Sequence, residues 1–218
     1  MGTAIVGAGG HGRVAFECLE LSQTTAEEIV YFDDEWQALG EVDGIPVLGP
    51  VSALLEDDRF ERVFVGIGDN RIRRRISLGL LAAGKSLVTI VHPATTISPR
   101  ATLGEGTIAI AGAVANRGAR VGHGAILNTL CSVGHDCIVG DYAQVSPGAN
   151  LGGAACLDEG VFLGIGVRLV PEVRVGAWSV VGAGAVVLED VPERSFCIGV
   201  PARVVRRLRD DELPTVEG

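Results

Sequence analysis

The chain has 218 residues, is 47% hydrophobic and carries a formal net charge of −9 at pH 7, a length that suits one large or two small domains. The acidic balance argues against nucleic-acid binding, because phosphate contacts depend on lysine and arginine. No apolar stretch reaches the roughly 18 residues that a transmembrane helix needs, and the start of the chain lacks the basic residues of a signal peptide.

Alternating strand-like and helix-like segments predict a small parallel α/β domain over residues 1–90. The expected strands, in chain order, cover residues 3–6, 29–32, 45–48, 62–67 and 87–90. The expected helices cover residues 13–21, 51–58 and 71–83, the last one ending at Gly84. We interpret the arginine-rich run 71–75 as a solvent-facing side of that last helix.

A glycine-rich turn follows the first strand. Gly7, Gly9 and Gly12 match the GxGxxG pattern of nucleotide-binding folds, and Asp33 follows about twenty residues later. The domain is too short for the two halves of a dinucleotide fold. We therefore expect one nucleotide phosphate group at the turn, where glycine N–H groups and a helix N-terminus favour an anion. A tight turn that binds nothing is the alternative.

The second half of the chain has a period of six residues. Every sixth residue from Val91 to Val187 is Ile, Leu, Val or Ala, the next is often glycine, and the fifth position of each hexad is small or β-branched. This period is neither helical nor a simple strand alternation. It fits a three-sided coil with aliphatic residues inside and glycine at the bends, stacked about six times. Phased valine and leucine argue against the alternative, a flexible glycine-rich segment.

The five cysteines occur in no CxxC pair, and their spacing suits no metal site. Reduced thiols in a cytoplasmic protein are the simplest interpretation. No metal cofactor is therefore expected.

One of the four histidines, His135, has the surroundings of a catalytic base. It directly precedes Asp136, and a carboxylate beside an imidazole can orient it and raise its basicity. Gly153 lies 18 residues later, one coil further on, so we expect bare backbone beside the ring, with room for a thioester and N–H groups for its carbonyl. From the spacing alone, a base and a surface residue at a coil corner are equal alternatives.

Two resemblances follow from these segments. The hexad repeat resembles the hexapeptide-repeat acyltransferase superfamily, which implies a left-handed parallel β-helix over residues 91–200 and a C-terminal tail at 201–218. The opening IVGAGGHGRV, the FDD at 32–34, the stretch NTLCSVGHDCIVGDYAQVSPGANLGG and the GVPAR at 199–203 occur together. This combination resembles the bacterial sugar acetyltransferase family that contains NeuD-type sialic acid O-acetyltransferases and PglD-type UDP-4-amino-sugar N-acetyltransferases.

The second resemblance implies a set of site residues. His135 is the implied general base, and Asp136 is the residue that raises its basicity. The implied contacts to acetyl-coenzyme A are Gln144, Gly153, Ile165 and Ala183; some relatives have histidine at the position of Gln144. The implied contacts to the nucleotide sugar are Gly9, Gly10, His11, Asp33, Asp34 and Asn128.

The predicted function is acetyl-CoA-dependent N-acetylation of a nucleotide-linked 4-amino-4,6-dideoxy sugar, with UDP as the expected nucleotide. The resemblance also implies a homotrimer with each cleft between two subunits. Two alternatives stay open at this stage: O-acetylation of a sugar of the sialic acid type, and a non-catalytic nucleotide-sugar binder.

Overall fold

The computed structural model describes residues 2–22 and 28–212. A four-stranded parallel sheet forms the N-terminal domain, from β1 (Thr3–Val6), β2 (Ile29–Phe32), β5 (Arg62–Val65) and β6 (Ser86–Leu87), in the order β2-β1-β5-β6. The short strands β3 (Glu41–Val42) and β4 (Ile45–Pro46) form an antiparallel hairpin. The helices of this domain are α1 (Gly10–Leu21), α2 (Trp36–Leu39), α3 (Val51–Leu54) and α4 (Asn70–Ala82). Within the residues described, none of these helices is long and apolar enough to cross a membrane.

The N-terminal domain differs from the prediction at several places. Helix α1 begins at Gly10 instead of residue 13, because the second half of the glycine turn is already helical. The strand expected at 45–48 is a two-residue arm of the β3–β4 hairpin, whose turn has positive φ angles at Asp43 and Gly44. Asp-Gly is a common sequence for such a turn. Helix α2 was not predicted, and α3 is shorter than expected.

The second half is a three-sided coil, and the prediction of a left-handed parallel β-helix is confirmed. Face 1 contains β7 (Ile90–Val91), β10 (Ile108–Ala109), β13 (Ile126–Leu127), β16 (Gln144–Val145), β19 (Phe162–Leu163) and β22 (Val180–Val181). Face 2 contains β8 (Thr96–Ile97), β11 (Val114–Ala115), β14 (Ser132–Val133), β17 (Asn150–Leu151), β20 (Arg168–Leu169) and β23 (Val186–Val187). Face 3 contains β9 (Thr102–Leu103), β12 (Arg120–Val121), β15 (Ile138–Val139), β18 (Cys156–Leu157) and β21 (Arg174–Val175). Residues 18 apart pair in parallel along each face, as Ile108 does with Ile126.

Three vertices join these faces, and each is named here by one of its residues. The His135 vertex lies between faces 2 and 3, the Trp178 vertex between faces 3 and 1, and the Ile165 vertex between faces 1 and 2. In a three-sided prism the His135 vertex is therefore opposite face 1.

The repeat glycines have a different role from the one we expected. A Cβ added at Gly140 would lie 2.5 Å from the carbonyl carbon of Asp158, and one at Gly104 would lie 2.6 Å from that of Gly122. These glycines, which follow the aliphatic residue, are therefore required by the close approach of successive coils. The bend itself falls two residues later, where glycine and also larger residues such as Leu130 have positive φ angles.

The C-terminal residues close one end of the coil. Strand β24 (Ser195–Gly199) pairs with β22 and extends face 1. Strand β25 (Ala202–Arg207) pairs with β24 in antiparallel fashion, and a 3₁₀ turn covers Asp210–Glu212. Part of the segment that the sequence assigned to a tail is therefore an edge strand of the β-helix.

The N-terminal domain packs on face 1. Outward-facing Ile90, Ile108 and Ile126 of that face share one hydrophobic cluster with Ile5 of β1 and Ala15 of α1. This shared core fixes the position of the glycine turn relative to the coil, because burial of apolar area stabilises the contact in proportion to its size.

Arg73 anchors α4 to the coil and is 1% exposed. Its guanidinium donates to the carbonyl oxygens of Gly124 at 2.7 Å and Tyr142 at 2.8 Å on the Trp178 vertex. It also donates to the carbonyl of Ile67 and the side chain of Asn70. The interpretation of 71–75 as a solvent-facing run is therefore wrong at Arg73, whose burial lowers its pKa to about 9.

Candidate active site

His135 and Asp136 lie together at the corner between faces 2 and 3. Asp136 has a φ of 59°, a left-handed conformation that aspartate adopts more readily than most residues. The turn places the Nδ1 atom of His135 3.0 Å from the Oδ2 atom of Asp136. The imidazole is 72% exposed, so a ligand can reach it from solvent.

Glycines on the two neighbouring coils make room for this pair. On the following coil, a Cβ added at Gly153 would lie 2.5 Å from the Cε1 atom of His135, so the ring rests on bare backbone. On the preceding coil, a Cβ at Gly118 would overlap the Oδ1 atom of Asp136. The space that we expected to be free for a thioester beside Gly153 is thus filled by the imidazole, and a substrate must approach the ring from its exposed side.

The glycine turn contains two kinds of glycine. A Cβ at Gly12 would overlap the carbonyl oxygen of Gly7, so Gly12 is required by the packing of α1 against β1. Gly9 is the N-cap of α1 and Gly10 its first residue, and both have open space where a Cβ would be. Packing does not require these two glycines, and their missing side chains leave the helix N-terminus accessible.

His11 follows in the first turn of α1 and is partly buried. Burial, and to a smaller extent the charge of Arg73, lower its pKa below the ordinary 6.5. A neutral imidazole at pH 7 can donate one hydrogen bond and accept another.

Asp33 and Asp34 hold the backbone around this turn. Asp33 accepts hydrogen bonds from the N–H groups of Ala8 and Glu35, each at 2.9 Å. Asp34 accepts one from the N–H of Val51 at 3.0 Å, at the start of α3. Both carboxylates thus have a structural role, and a carboxylate has further lone pairs with which to accept from a ligand.

The residues implied for acetyl-CoA lie at three different places on the coil. Gly153 is at the His135 vertex, whereas Ile165 and Ala183 are exposed and stack one coil apart at the Ile165 vertex. Gln144 points outward from face 1 but is only 3% exposed, and its Oε1 atom has no hydrogen-bond partner among the residues that the structure describes.

Asn128, implied for the nucleotide sugar, follows β13 and is partly buried. Its Oδ1 atom accepts the N–H of Thr129 at 2.8 Å. Because the oxygen is engaged by this bond, the NH₂ group is the part of Asn128 that remains to donate to a ligand.

Comparison with known proteins reveals relatives of nearly the whole chain. The family model described as the PglD N-terminal domain matches residues 3–79. A perosamine N-acetyltransferase from Caulobacter crescentus, solved with CoA and GDP-perosamine, is 38% identical, with 94% of this chain and 97% of that chain covered and a TM-score of 0.88. The acetyltransferase domain of PglB from Neisseria gonorrhoeae, also solved with acetyl-CoA, is 37% identical, with 93% and 98% covered and a TM-score of 0.88.

The chain belongs to the PglD/NeuD-type family of sugar acetyltransferases.

Curated relatives match over shorter stretches. The UDP-N-acetylbacillosamine N-acetyltransferase of Bacillus subtilis is 35% identical over 111 residues, half of each protein. The chain spans only 27–30% of the length of several further curated acetyltransferases that it matches.

A single chain of this PglD/NeuD-type protein does not bring the site residues together. The glycine turn and Asp33 belong to the domain that packs on face 1, and His135 lies at the opposite vertex. Ile165 and Ala183 lie at a third position. Within one chain, the predicted site residues therefore lie at three separate places.

Two residues of this site region were missed by the sequence analysis. Gly118 lies 18 residues before Asp136, so the one-coil spacing that relates Gly153 to His135 is the signal in the sequence that identifies it. Arg73 was assigned to a solvent-facing run because its neighbours are charged.

In residues 2–22 and 28–212 no group of three or more His, Cys, Asp or Glu side chains is arranged to hold a metal ion.

Proposed function

We propose that the protein transfers the acetyl group of acetyl-CoA to the amine of a nucleotide-linked 4-amino-4,6-dideoxy sugar, with His135 as the general base. The observation that carries this proposal is the exposed imidazole held between Asp136 and the backbone of Gly153. A base must lie within hydrogen-bond reach of the proton that it removes, and Nε2 of His135 is the ring nitrogen not engaged by Asp136.

The reaction is a direct transfer. The amine nitrogen attacks the thioester carbonyl carbon while His135 accepts the amine proton, so that a C–N bond forms. The tetrahedral intermediate then collapses, the C–S bond breaks, and the thiolate of coenzyme A takes up a proton from the imidazolium. The carboxylate of Asp136 stabilises the transient positive charge on the ring.

The oxyanion of the intermediate requires a hydrogen-bond donor. The N–H of Gly153 is a candidate, because it has no backbone acceptor in the described part of the chain. Because the imidazole rests on the same glycine, the base and the donor would lie on one side of the reacting carbonyl. Free N–H groups of this kind, held by a rigid coil, need no reorganisation during the reaction.

The acceptor and the thioester are bound, in this proposal, by a homotrimer. The open N-terminus of α1 at Gly9 and Gly10 receives the phosphates of the nucleotide sugar, and His135 comes from the neighbouring subunit. The separation of the glycine turn from His135 within one chain supports this arrangement, and closed symmetric assemblies of identical chains are common. The cytoplasmic location predicted from the sequence remains a prediction.

The relatives differ in the nucleotide that carries the sugar. The Caulobacter structure contains GDP-perosamine, and the Bacillus protein is described as acting on a UDP sugar. UDP, the nucleotide expected from the sequence, is therefore one of two candidates.

A substrate panel tests the proposal. Purified protein is incubated with acetyl-CoA and UDP- or GDP-linked 4-amino-4,6-dideoxy sugars, and release of free thiol is followed; CMP-linked sialic acid tests O-acetylation. We expect turnover with a 4-amino sugar and a loss of about 10²–10⁴-fold in His135→Ala, the usual contribution of a general base. His123→Ala is the matched control, because His123 is also exposed on the coil. Equal rates in both variants would remove His135 from the mechanism.

A further inference from the structure

Gly152 and Gly153 are the only two adjacent glycines in residues 91–192 of the coil. Packing requires both of them. A Cβ added at Gly152 would lie 2.5 Å from the backbone nitrogen of Pro171. One added at Gly153 would lie 2.5 Å from Cε1 of His135. Because glycine has more backbone freedom than any other residue, the orientation of the peptide unit between these two depends on the hydrogen bonds that hold it.

One end of this peptide unit is held by two donors. The carbonyl oxygen of Gly152 accepts the N–H of Ala155 at 3.2 Å. It also accepts the thiol of Cys137, with 3.0 Å between Sγ and the oxygen. The other end, the N–H of Gly153, has no backbone acceptor in the described part of the chain. Because a peptide unit is planar and its C=O and N–H point in opposite directions, fixing the carbonyl also fixes the direction of this free N–H.

The thiol donor occurs on the coil that carries His135 and not on the two coils beside it. The residues in register with Cys137 on the preceding and following coils are Ala119 and Ala155, whose side chains cannot donate. Cys137 is fully buried, and burial raises the pKa of its thiol above the ordinary value. The sulfur therefore keeps its proton at neutral pH and can act as a hydrogen-bond donor.

We propose that Cys137 is a positioning residue for acetyl transfer, because its thiol holds the Gly152–Gly153 peptide with the N–H of Gly153 directed at the oxyanion. This inference rests on the proposed function. The hydrogen bond at the Gly152 carbonyl also polarises the peptide unit, which makes the N–H at its other end a stronger donor. The thiol itself forms no bond to the acetyl group.

Replacements of Cys137 test this role with the sugar identified by the substrate panel. Cys137→Ala removes the donor and should lower kcat about three- to tenfold, the usual effect of losing one neutral hydrogen bond. The KM for acetyl-CoA should stay unchanged, because the N–H of Gly153 acts mainly on the transition state. Cys137→Ser keeps a donor within reach of the same carbonyl oxygen, so it should restore kcat to within about twofold of the unaltered protein.

Cys131 provides the matched control. It occupies the same fifth position of its hexad and is equally buried, but its thiol has no hydrogen-bond partner in another of the described residues. Cys131→Ala and Cys131→Ser should therefore leave kcat unchanged, and thermal melting verifies that all four variants fold. Equal losses of kcat in Cys131→Ala and Cys137→Ala, or no recovery in Cys137→Ser, overturn the positioning role and leave the proposed transfer standing.

A readout without substrate separates this inference from the proposed function. In full-length protein made with ¹⁵N-labelled glycine, the amide signal of Gly153 is identified by its loss in Gly153→Ala. A hydrogen bond at a carbonyl polarises the N–H of the same peptide unit. The signal should therefore move in Cys137→Ala and stay near its original position in Cys137→Ser and Cys131→Ala. An unchanged signal in Cys137→Ala overturns the inference, whereas failure of the proposed function is seen separately, as absence of turnover by the unaltered protein.

Discussion

Gly153→Ala perturbs the candidate active site with a single methyl group. The added Cβ would lie 2.5 Å from Cε1 of His135, where ordinary contacts begin at 3.4 Å. The imidazole must therefore move by about 1 Å, and a displacement of that size in a catalytic group costs about 10²-fold in rate. Because the ring is 72% exposed, it can swing into solvent without disturbing the core.

The expected result is a fall of about 10²-fold in kcat/KM with a nearly unchanged melting temperature. The assay follows thiol release with the sugar identified by the substrate panel. The same substitution is repeated in a His135→Ala background, since residues that act as one unit give non-additive effects. In the His135→Ala background, Gly153→Ala should lower kcat/KM only slightly further. Near-normal activity of the single variant, or an equal loss in both backgrounds, would refute the reasoning.

Three further variants test the structure around the site. Gly118→Ala should lower kcat/KM, because the Cβ would overlap Oδ1 of Asp136. Gly112→Ala has a similar positive φ but meets the exposed Leu130, so it should cost only stability. Arg73→Leu should lower the free energy of unfolding by about 3 kcal/mol or more, measured in urea, because it leaves buried carbonyls without donors. His11 has a pKa below 6.5 in the folded chain, so its unfolded form binds more protons and stability should fall as pH drops below 6.5; melting curves of His11→Gln should lose this part of the decline.

The β-helix was predictable because each coil repeats the same physical requirement. An aliphatic residue must point inward every six positions, and residues 18 apart must pair, as Val121 does with Val139. A six-residue repeat of this length is specific for a stacked coil and argues against other folds. The role of the repeat glycines was not predictable in the same way. Close approach of coils and a positive φ both favour glycine, and only the structure distinguishes Gly104 from Gly106.

The candidate site was only partly predictable, since its residues act through contacts that are distant in sequence. The one-coil spacing correctly placed Gly153 beside His135. It did not indicate that the imidazole ring itself occupies the space left by the missing side chain of Gly153. Arg73 resembles its exposed neighbours in sequence, and its acceptors lie 51 and 69 residues away. Gln144 is buried on face 1, the face on which the N-terminal domain packs, and no local sequence pattern encodes that packing.

Mixing two inactive variants tests most directly whether His135 of one chain serves the acceptor site of another. Gly10→Glu blocks the glycine turn, and His135→Ala removes the base; each is expected to be inactive as a pure assembly. Co-expressed with different tags and purified as mixed trimers, they should recover about a third of the normal activity, because every mixed trimer pairs an intact glycine turn with an intact His135 at one of its three interfaces. Mixed trimers as inactive as their parents would contradict a site shared between subunits.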